Sequence, residues 1–568
     1  MKKSRRVPTR VSSDDKPAVQ EHPDRWWLWA LAVAGLLVVF EAYGPSMNGD
    51  FVLDDLYLPF KYPHAEQITL WNWLNGARPV LMFSYWLNFR ASGLETFSYH
   101  ATNVFLHFLV SVVIALVTAK LLEWTGVKGR ALAILSVFSG ALFLLHPLQT
   151  ESVSYVASRS ENLSVLFYFA AFALFLYTPE QRISVARSVA YAVLLIVAVS
   201  TKEHTLTLPV LALAASWFWG RSGIRQSPLF WGLQAVAGGL GIIQIVRVLG
   251  AADSAGFHVK GVAPAAYFFT QCRVIWIYVR LFFLPANQNV DPDIALSENL
   301  MQHGAVIGML ALIGLAAAAW VLRKRYPLAA FGVFMFLLLL APTSSLLPIQ
   351  DVFAERRMYL PFLGLTLVCF EFLRRLDTKA MVWIAAITLA WCTVLTYRRS
   401  QVWATPEALW KDTVAKSPQK VRPRFQLAFA YYITGNCAEA VDNYQIAGSL
   451  APPDYRLLLD WANALYCVSR NDEAVAILKQ AVTFEHPSEA YLLLGAIYGR
   501  QQRPSEALDA LARAEGIDPS IPQIYVNRGN IYLVRGDRNA ALSEYQRALN
   551  IDPGSPDALR ALAYANSH

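Results

Sequence analysis

Charged side chains interrupt long apolar stretches at five places in this sequence: Asp54-Asp55, Arg78, Arg159 with Glu161, Lys202-Glu203 and Glu355-Arg356-Arg357. Ionised groups at membrane depth are costly unless paired or solvated. For any one cluster, a helix end whose long side chain reaches the interface and pairs with a neighbour is a sufficient reading. Five clusters on one face admit another: acids and bases converging as a pocket for an anionic lipid headgroup.

The elements that must position these groups follow from composition. The chain has 568 residues, 55% hydrophobic and 16% charged, against roughly 25% charged in an ordinary soluble domain. Its mean hydropathy is +0.35. A purely soluble, secreted or disordered protein is thereby excluded. The net charge of +8 resides largely in membrane-flanking clusters and argues against a nucleic-acid partner. Five cysteines rule out a disulfide scaffold. No P-loop or Rossmann glycine pattern occurs, so neither nucleotide hydrolysis nor direct use of a nucleotide sugar is indicated.

Residues 1–25 are basic and read as a cytoplasmic tail, and 26–43 as a retained signal anchor. Further stretches long enough for a bilayer core lie near 101–122, 131–147, 161–178, 185–201, 204–220, 228–249, 302–322, 327–348, 358–375 and 379–397, giving about eleven spans. Segment 265–284 carries Arg273 and Arg280 on one helical face among apolar and aromatic residues, which favours a helix lying in the interface. With that choice Arg221/Arg225, Arg323-Lys324-Arg325 and Arg374-Arg375 with Lys379 all fall in the cytoplasm, as the positive-inside rule asks. The five charged clusters then share the exported face. The sequence therefore predicts an all-α chain: a basic tail at 1–25, a multispanning membrane domain at 26–400, and an exported domain at 401–568.

From about Val421 a repeat of about 34 residues sets in. Ala428, Tyr431, Ala440, Tyr444 and Pro452 mark one unit; Ala462, Ala474 and Leu478 a second, one residue shorter. Gly495, Tyr498, Ala507 and Pro519 mark a third, and Gly529, Tyr532, Ala541, Tyr545 and Pro553 a fourth. Small residues admit close helix pairs, aromatics fill the gap and proline ends the second helix. This matches the tetratricopeptide repeat (TPR): a half-repeat, four repeats and a cap forming an α-solenoid. Its concave groove suits extended peptides, a purely structural extension being the alternative. Cys437 and Cys467 fall at the ends of adjacent helices, either as a disulfide in an oxidising compartment or as two buried thiols.

The loops spell NGDFVLDDLYLPF (48–60), RPVLMFSYWLNF (78–89), YHATNVFLH (99–107), HPLQTESVSYVASRSE (146–161), TKEH (201–204) and FAERRMYLP (353–361). In this order, and fused to TPRs, they resemble the transmembrane-and-tetratricopeptide-repeat family of protein O-mannosyltransferases, in the GT-C class of multispanning glycosyltransferases. The short repeat array is similar to a bacterial member, which implies a bacterial inner membrane with the N-terminus cytoplasmic and the array periplasmic.

The resemblance implies transfer of one sugar from a polyprenyl-phosphate carrier, with inversion, to an exported hydroxyl, on a protein Ser or Thr presented by the TPR groove. Such transfer needs a base, and the family places an acid in the first exported loop, here Asp54 and Asp55. Asp54 is the expected base, with Asp55 orienting the acceptor or a metal; adjacency alone does not rank them. Arg356 and Arg357 suit the lipid phosphate because arginine offers forked, bidentate recognition, with Lys202 and Arg159 as further contacts. Glu203 and Glu355 would hold these cations in the empty site. His146, Gln149, Glu151 and Arg78 would position sugar or acceptor, and helices at 80–90 and 265–284 would frame the lipid access groove. A divalent metal (Mg or Mn) has Asp55 and the D-x-D of Asp291 and Asp293 as candidate ligands, a polar turn being the equal alternative. Competing readings are a GT-C enzyme acting on a lipid or glycan, and a non-catalytic scaffold recruiting secretion or pilus proteins through its repeats.

Overall fold

The computed structural model describes residues 26–62, 64–179, 183–221, 227–251, 254–257, 259 and 261–567. The tail expected at 1–25 lies outside them. Among the described residues the chain is helical with no strand, and an isolated bridge pairs Ala255 with Ile349.

Among the described residues five helices are long and apolar enough to cross a bilayer: Thr96–Trp124, Val156–Leu176, Pro228–Gly250, Gln302–Leu322 and Thr378–Val402. A sixth arises if Gly129–Leu145 and Pro147–Ser154, bent by 48°, count as one. Trp29–Ala42, Val185–Thr201, Pro327–Leu340 and Phe362–Leu373 are shorter apolar helices, as is Leu208–Phe218. Each of the eleven expected stretches thus holds a helix, though that of 327–348 ends at Leu340 and not all are long enough to span alone. Helix Pro264–Phe283, which carries the two arginines, is not among the long apolar set.

The bend falls at His146-Pro147, where proline has no N–H to continue the helix. His146 terminates it: Nδ1 accepts the N–H of Leu148 at 3.2 Å and Nε2 bonds the carbonyl of Phe282 at 3.0 Å. Packing between the shorter helices is close. A Cβ at Gly332 would stand 2.5 Å from the Gly364 carbonyl oxygen, so only glycine admits this approach, as is common between membrane helices.

Helix Thr378–Val402 ends two residues past the expected boundary at 400, and the helices of the C-terminal array begin at Pro406–Lys416. Four antiparallel pairs follow: Val421–Ile433 with Cys437–Leu450, Tyr455–Cys467 with Asn471–Ala481, Ser488–Arg500 with Pro504–Ile517, and Pro522–Val534 with Arg538–Ile551. Helix Pro556–Ser567 closes the array. The alanines picked out by the repeat are buried, and Gly529 lies so close against the ring of Tyr545 that a Cβ would not fit. The small-against-aromatic packing expected of the repeat is therefore present. Cys437 opens one helix, Cys467 ends the next, and the two are joined as a disulfide with Cα atoms 6.2 Å apart.

Candidate active site

The two adjacent aspartates have opposite fates. Leu53 adopts φ +53°, a left-handed conformation that costs a non-glycine residue roughly 1–2 kcal/mol. It opens the tight turn Leu53–Tyr57. The Leu53 side chain packs among Trp403, Leu409, Trp410 and Leu427, which fixes the turn. Asp55 points inward and is 1% exposed. Its Oδ2 accepts the N–H of Val52 at 3.1 Å and its Oδ1 that of Ala157 at 2.6 Å. Burial pushes its pKa up to about 8. Asp54 is exposed and lines a cavity of about 670 Å³. Its backbone N–H donates to the Tyr155 hydroxyl at 2.8 Å.

The same cavity is lined by Arg78, Lys202, Glu203, Arg356 and Arg357, so five of the expected site residues join Asp54. Most of the cations are already paired. Arg78 forks onto both Glu203 oxygens at 2.9 Å. Burial alone would raise the Glu203 pKa, but Arg78 overcomes it and holds the carboxyl below its ordinary range. Lys202 bonds Glu161 at 2.5 Å, and burial lowers its pKa despite that partner. Arg356 bonds Glu151 and lies 5.8 Å from the Tyr155 ring centroid. Arg357 differs: it donates to the Tyr267 hydroxyl and the Val352 carbonyl, both at 3.2 Å, and to the Asp351 carbonyl. It has no carboxylate partner among the described residues.

The expectation that Glu203 and Glu355 hold the phosphate-facing cations needs correction. Lys202 is extended, at φ −157° and ψ 131°, and successive side chains in extended backbone point to opposite sides. Glu203 therefore meets Arg78, while Lys202 turns to Glu161. Glu355 is fully buried and accepts from Gln288 Nε2 and the Asn289 N–H, both at 2.7 Å. Burial raises its pKa to about 7. The carboxylate that holds Arg356 is Glu151.

Other expected residues stand behind the cavity wall. Arg159 is fully buried, bonded to Asn103 Oδ1 at 2.9 Å and to the carbonyls of Ser84 and Tyr99 at 3.1 Å, with Tyr85 against its guanidinium. There it ties helices together and does not line the cavity. His146 serves the bend, and Gln149 is buried with neither amide atom hydrogen-bonded among the described residues. Asp291 is paired with Lys420 and Arg422, and the Asp293 N–H donates to Ser417 at 3.1 Å. Neither joins Asp54 in the cavity lining. Among the described residues no group of three or more His, Cys, Asp or Glu gathers as a metal site.

The sequence placed Glu161 in one of the charged clusters without an individual role, and it missed Tyr155 and the apolar wall formed by Ile245, Val248, Leu249, Phe257, Leu346 and Leu347. Tyr155 lies inside the HPLQTESVSYVASRSE segment, which marked the region without ranking its members. The apolar wall carries no motif and had no signal of its own.

TPR family models match residues 529–567 ("TPR repeat") and 488–521 ("Tetratricopeptide repeat"). The chain is 23% identical to Protein O-mannosyl-transferase TMTC3 of Homo sapiens, over 84% of this chain and 61% of that protein. It is 24% identical to Protein O-mannosyl-transferase F38B6.6 of Caenorhabditis elegans, over 72% of this chain and 61% of that protein. The chain thus spans about three fifths of the length of these relatives. A solved structure, the thermophilic TPR protein TTC0263 of Thermus thermophilus, matches 29% of this chain and 90% of its own at 20% identity and TM-score 0.25. The resemblance read from the loops is borne out: the chain is a homologue of proteins named TMTC protein O-mannosyl-transferases and carries TPRs.

Proposed function

We propose that this chain is a membrane glycosyltransferase that moves one sugar from a polyprenyl-phosphate carrier to a protein hydroxyl on the exported side. The observation that carries the reading is a single cavity in which one exposed carboxylate, Asp54, shares the lining with Arg357, Arg356 and Lys202 and with an apolar wall. That combination suits a substrate with a reactive sugar, a phosphate and a hydrocarbon tail. The names of the relatives favour mannose as the sugar and a protein as the acceptor.

In this reading the acceptor oxygen attacks the anomeric carbon as its proton passes to Asp54. The bond from that carbon to the phosphate oxygen breaks, and polyprenyl phosphate leaves with the electron pair, inverting the centre. Charge grows on the departing phosphate, where Arg357, Arg356 and Lys202 stabilise it, the kind of preorganised electrostatics that contributes most to such reactions. Asp55 acts through the loop: its two N–H bonds fix the turn from which Asp54 projects. No step is routed through a metal.

The proposed organisation keeps the membrane part to about residue 400 and the array beyond it, with the array in the periplasm of a bacterial inner membrane and its groove presenting the acceptor. Transfer from undecaprenyl-phosphate-mannose to periplasmic proteins, followed by intact mass with purified full-length protein, is the test. Mass addition by wild type that is lost in Asp54→Asn is expected. Donor binding without addition to any protein would move the acceptor to a lipid or glycan, and neither binding nor transfer would leave the scaffold reading.

A further inference from the structure

Helix Val421–Ile433 of the TPR array reaches the membrane part through Arg422. Arg422 Nη2 bonds Asp351 Oδ1 at 2.9 Å, while Nε and Nη2 hold the Asp291 carboxylate at 2.6 Å. Asp351 in turn offers its backbone carbonyl to Arg357. One residue on, the Val352 carbonyl accepts from Arg357 at 3.2 Å and from Gln271 at 2.7 Å. Arg357 lines the cavity and lacks a carboxylate partner among the described residues, so its direction depends on these carbonyls and on the Tyr267 hydroxyl. The segment bearing them is held from the array side by Arg422 and from the membrane side by Gln271. The same array face grips the other half of the site, since Leu53, immediately before Asp54, packs on Leu409, Trp410 and Leu427.

We propose that Arg422, a TPR residue, is a positioning residue of the glycosyl-transfer site: by clamping Asp351 it aims Arg357 at the donor phosphate. This rests on the reading of Arg357 as a phosphate contact. It gives the array a part in donor recognition separate from any peptide in its groove. Nearby Lys420 separates the clamp from simple docking, because it bonds Asp291 and the Pro292 carbonyl and makes no bond to Asp351.

The test compares full-length Arg422→Ala, Lys420→Ala, Arg357→Ala and the Arg357→Ala/Arg422→Ala pair. Hydrogen exchange over 351–357 is read without donor, and the KM for undecaprenyl-phosphate-mannose is read with it. Arg422→Ala is expected to speed exchange over 351–357 and raise donor KM about tenfold, the scale of one lost charged hydrogen bond. Lys420→Ala should leave both near wild type. The double variant should be no worse than Arg357→Ala alone, because residues acting through one another are not additive. Unchanged exchange in Arg422→Ala overturns the clamp, as does additive loss in the pair. Equal effects of Lys420→Ala and Arg422→Ala would reduce the contact to docking and overturn it too. If Arg357→Ala itself leaves donor KM unchanged, the phosphate reading fails first and the positioning role falls with it.

Discussion

The hydroxyl of Tyr155 accepts the backbone N–H of Asp54 at 2.8 Å, and the ring of Tyr155 stacks on Trp403 with centroids 6.1 Å apart. The proposed base is therefore fixed through its main chain, and its carboxylate has no hydrogen-bond partner among the described residues. Trp403, just past the end of the last long helix, backs the tyrosine that does the fixing.

Tyr155→Phe removes one acceptor and little else. Turnover is expected to fall about tenfold, the scale of one lost buried hydrogen bond, with donor KM close to wild type. Asp54→Asn removes the base itself and should cost on the order of 10²–10⁴ in turnover. Initial rates of mass addition under saturating donor separate the two. An Asp54→Asn variant as fast as wild type would remove this residue from the chemistry.

Asp55 predicts a pH dependence of stability. Burial holds its folded pKa at about 8, whereas an unfolded chain releases that proton near an ordinary value of about 3.9. Between those limits the native state binds the extra proton, so stability falls as pH rises. The contribution is complete below about pH 4 and gone above about pH 8. Glu355, raised to about 7 by burial, adds to the same slope. Thermal melts from pH 5 to 9 should show a declining midpoint that flattens in Asp55→Asn and further in Asp55→Asn/Glu355→Gln. An unchanged slope in both variants would mean that neither carboxyl is protonated in the native state.

What the sequence disclosed and what it hid divide along contact range. The acidic pair Asp54-Asp55, the repeat and the presence of a helix in each apolar stretch are local patterns and were legible. The burial of Arg159 was not legible: the sequence put it at the lipid phosphate, beside Glu161. Its true partners, Asn103 and the carbonyls of Ser84 and Tyr99, come from other helices. The ion pairs followed the same rule. Glu151 and Arg356 are 205 residues apart, and Arg78 and Glu203 are 125 apart, so helix packing, not adjacency, chose each partner. Arg422 was unreadable for that reason, being an ordinary helix residue until the fold brings Asp351 to it.

Arg356 and Arg357 should behave differently when truncated, although they are neighbours. Arg356→Ala strands Glu151, whose side chain is 1% exposed, and breaking a buried pair in this way costs about 3–5 kcal/mol. Activity lost in that variant would be confounded by folding. Arg357→Ala strands only a hydroxyl and two carbonyls. It should melt within a few degrees of wild type while raising donor KM about tenfold or more. Melting curves alongside donor titrations distinguish these cases, and equal destabilisation of the two variants would contradict the pairing described.

The Cys437–Cys467 disulfide turns the direction of the array into a measurement. The two cysteines are 30 residues apart, and closing a loop of that size restrains the unfolded chain by roughly 3–4 kcal/mol. Such bonds persist where the compartment is oxidising and are rare where thiols are kept reduced. If the array is exported, protein alkylated during lysis and digested without reductant should yield the linked Cys437 and Cys467 peptides, with Cys272, Cys369 and Cys392 recovered as thiols. Cys437→Ser/Cys467→Ser should then lower the melting temperature of the array and leave donor KM alone, because neither cysteine lines the cavity holding Asp54 and Arg357. Full recovery of Cys437 and Cys467 as alkylated thiols from freshly lysed cells would point to a reducing compartment. The array would then lie on the cytoplasmic side, taking with it Leu53 and Asp351, which contact it beside the cavity, and an exported acceptor would have to be abandoned.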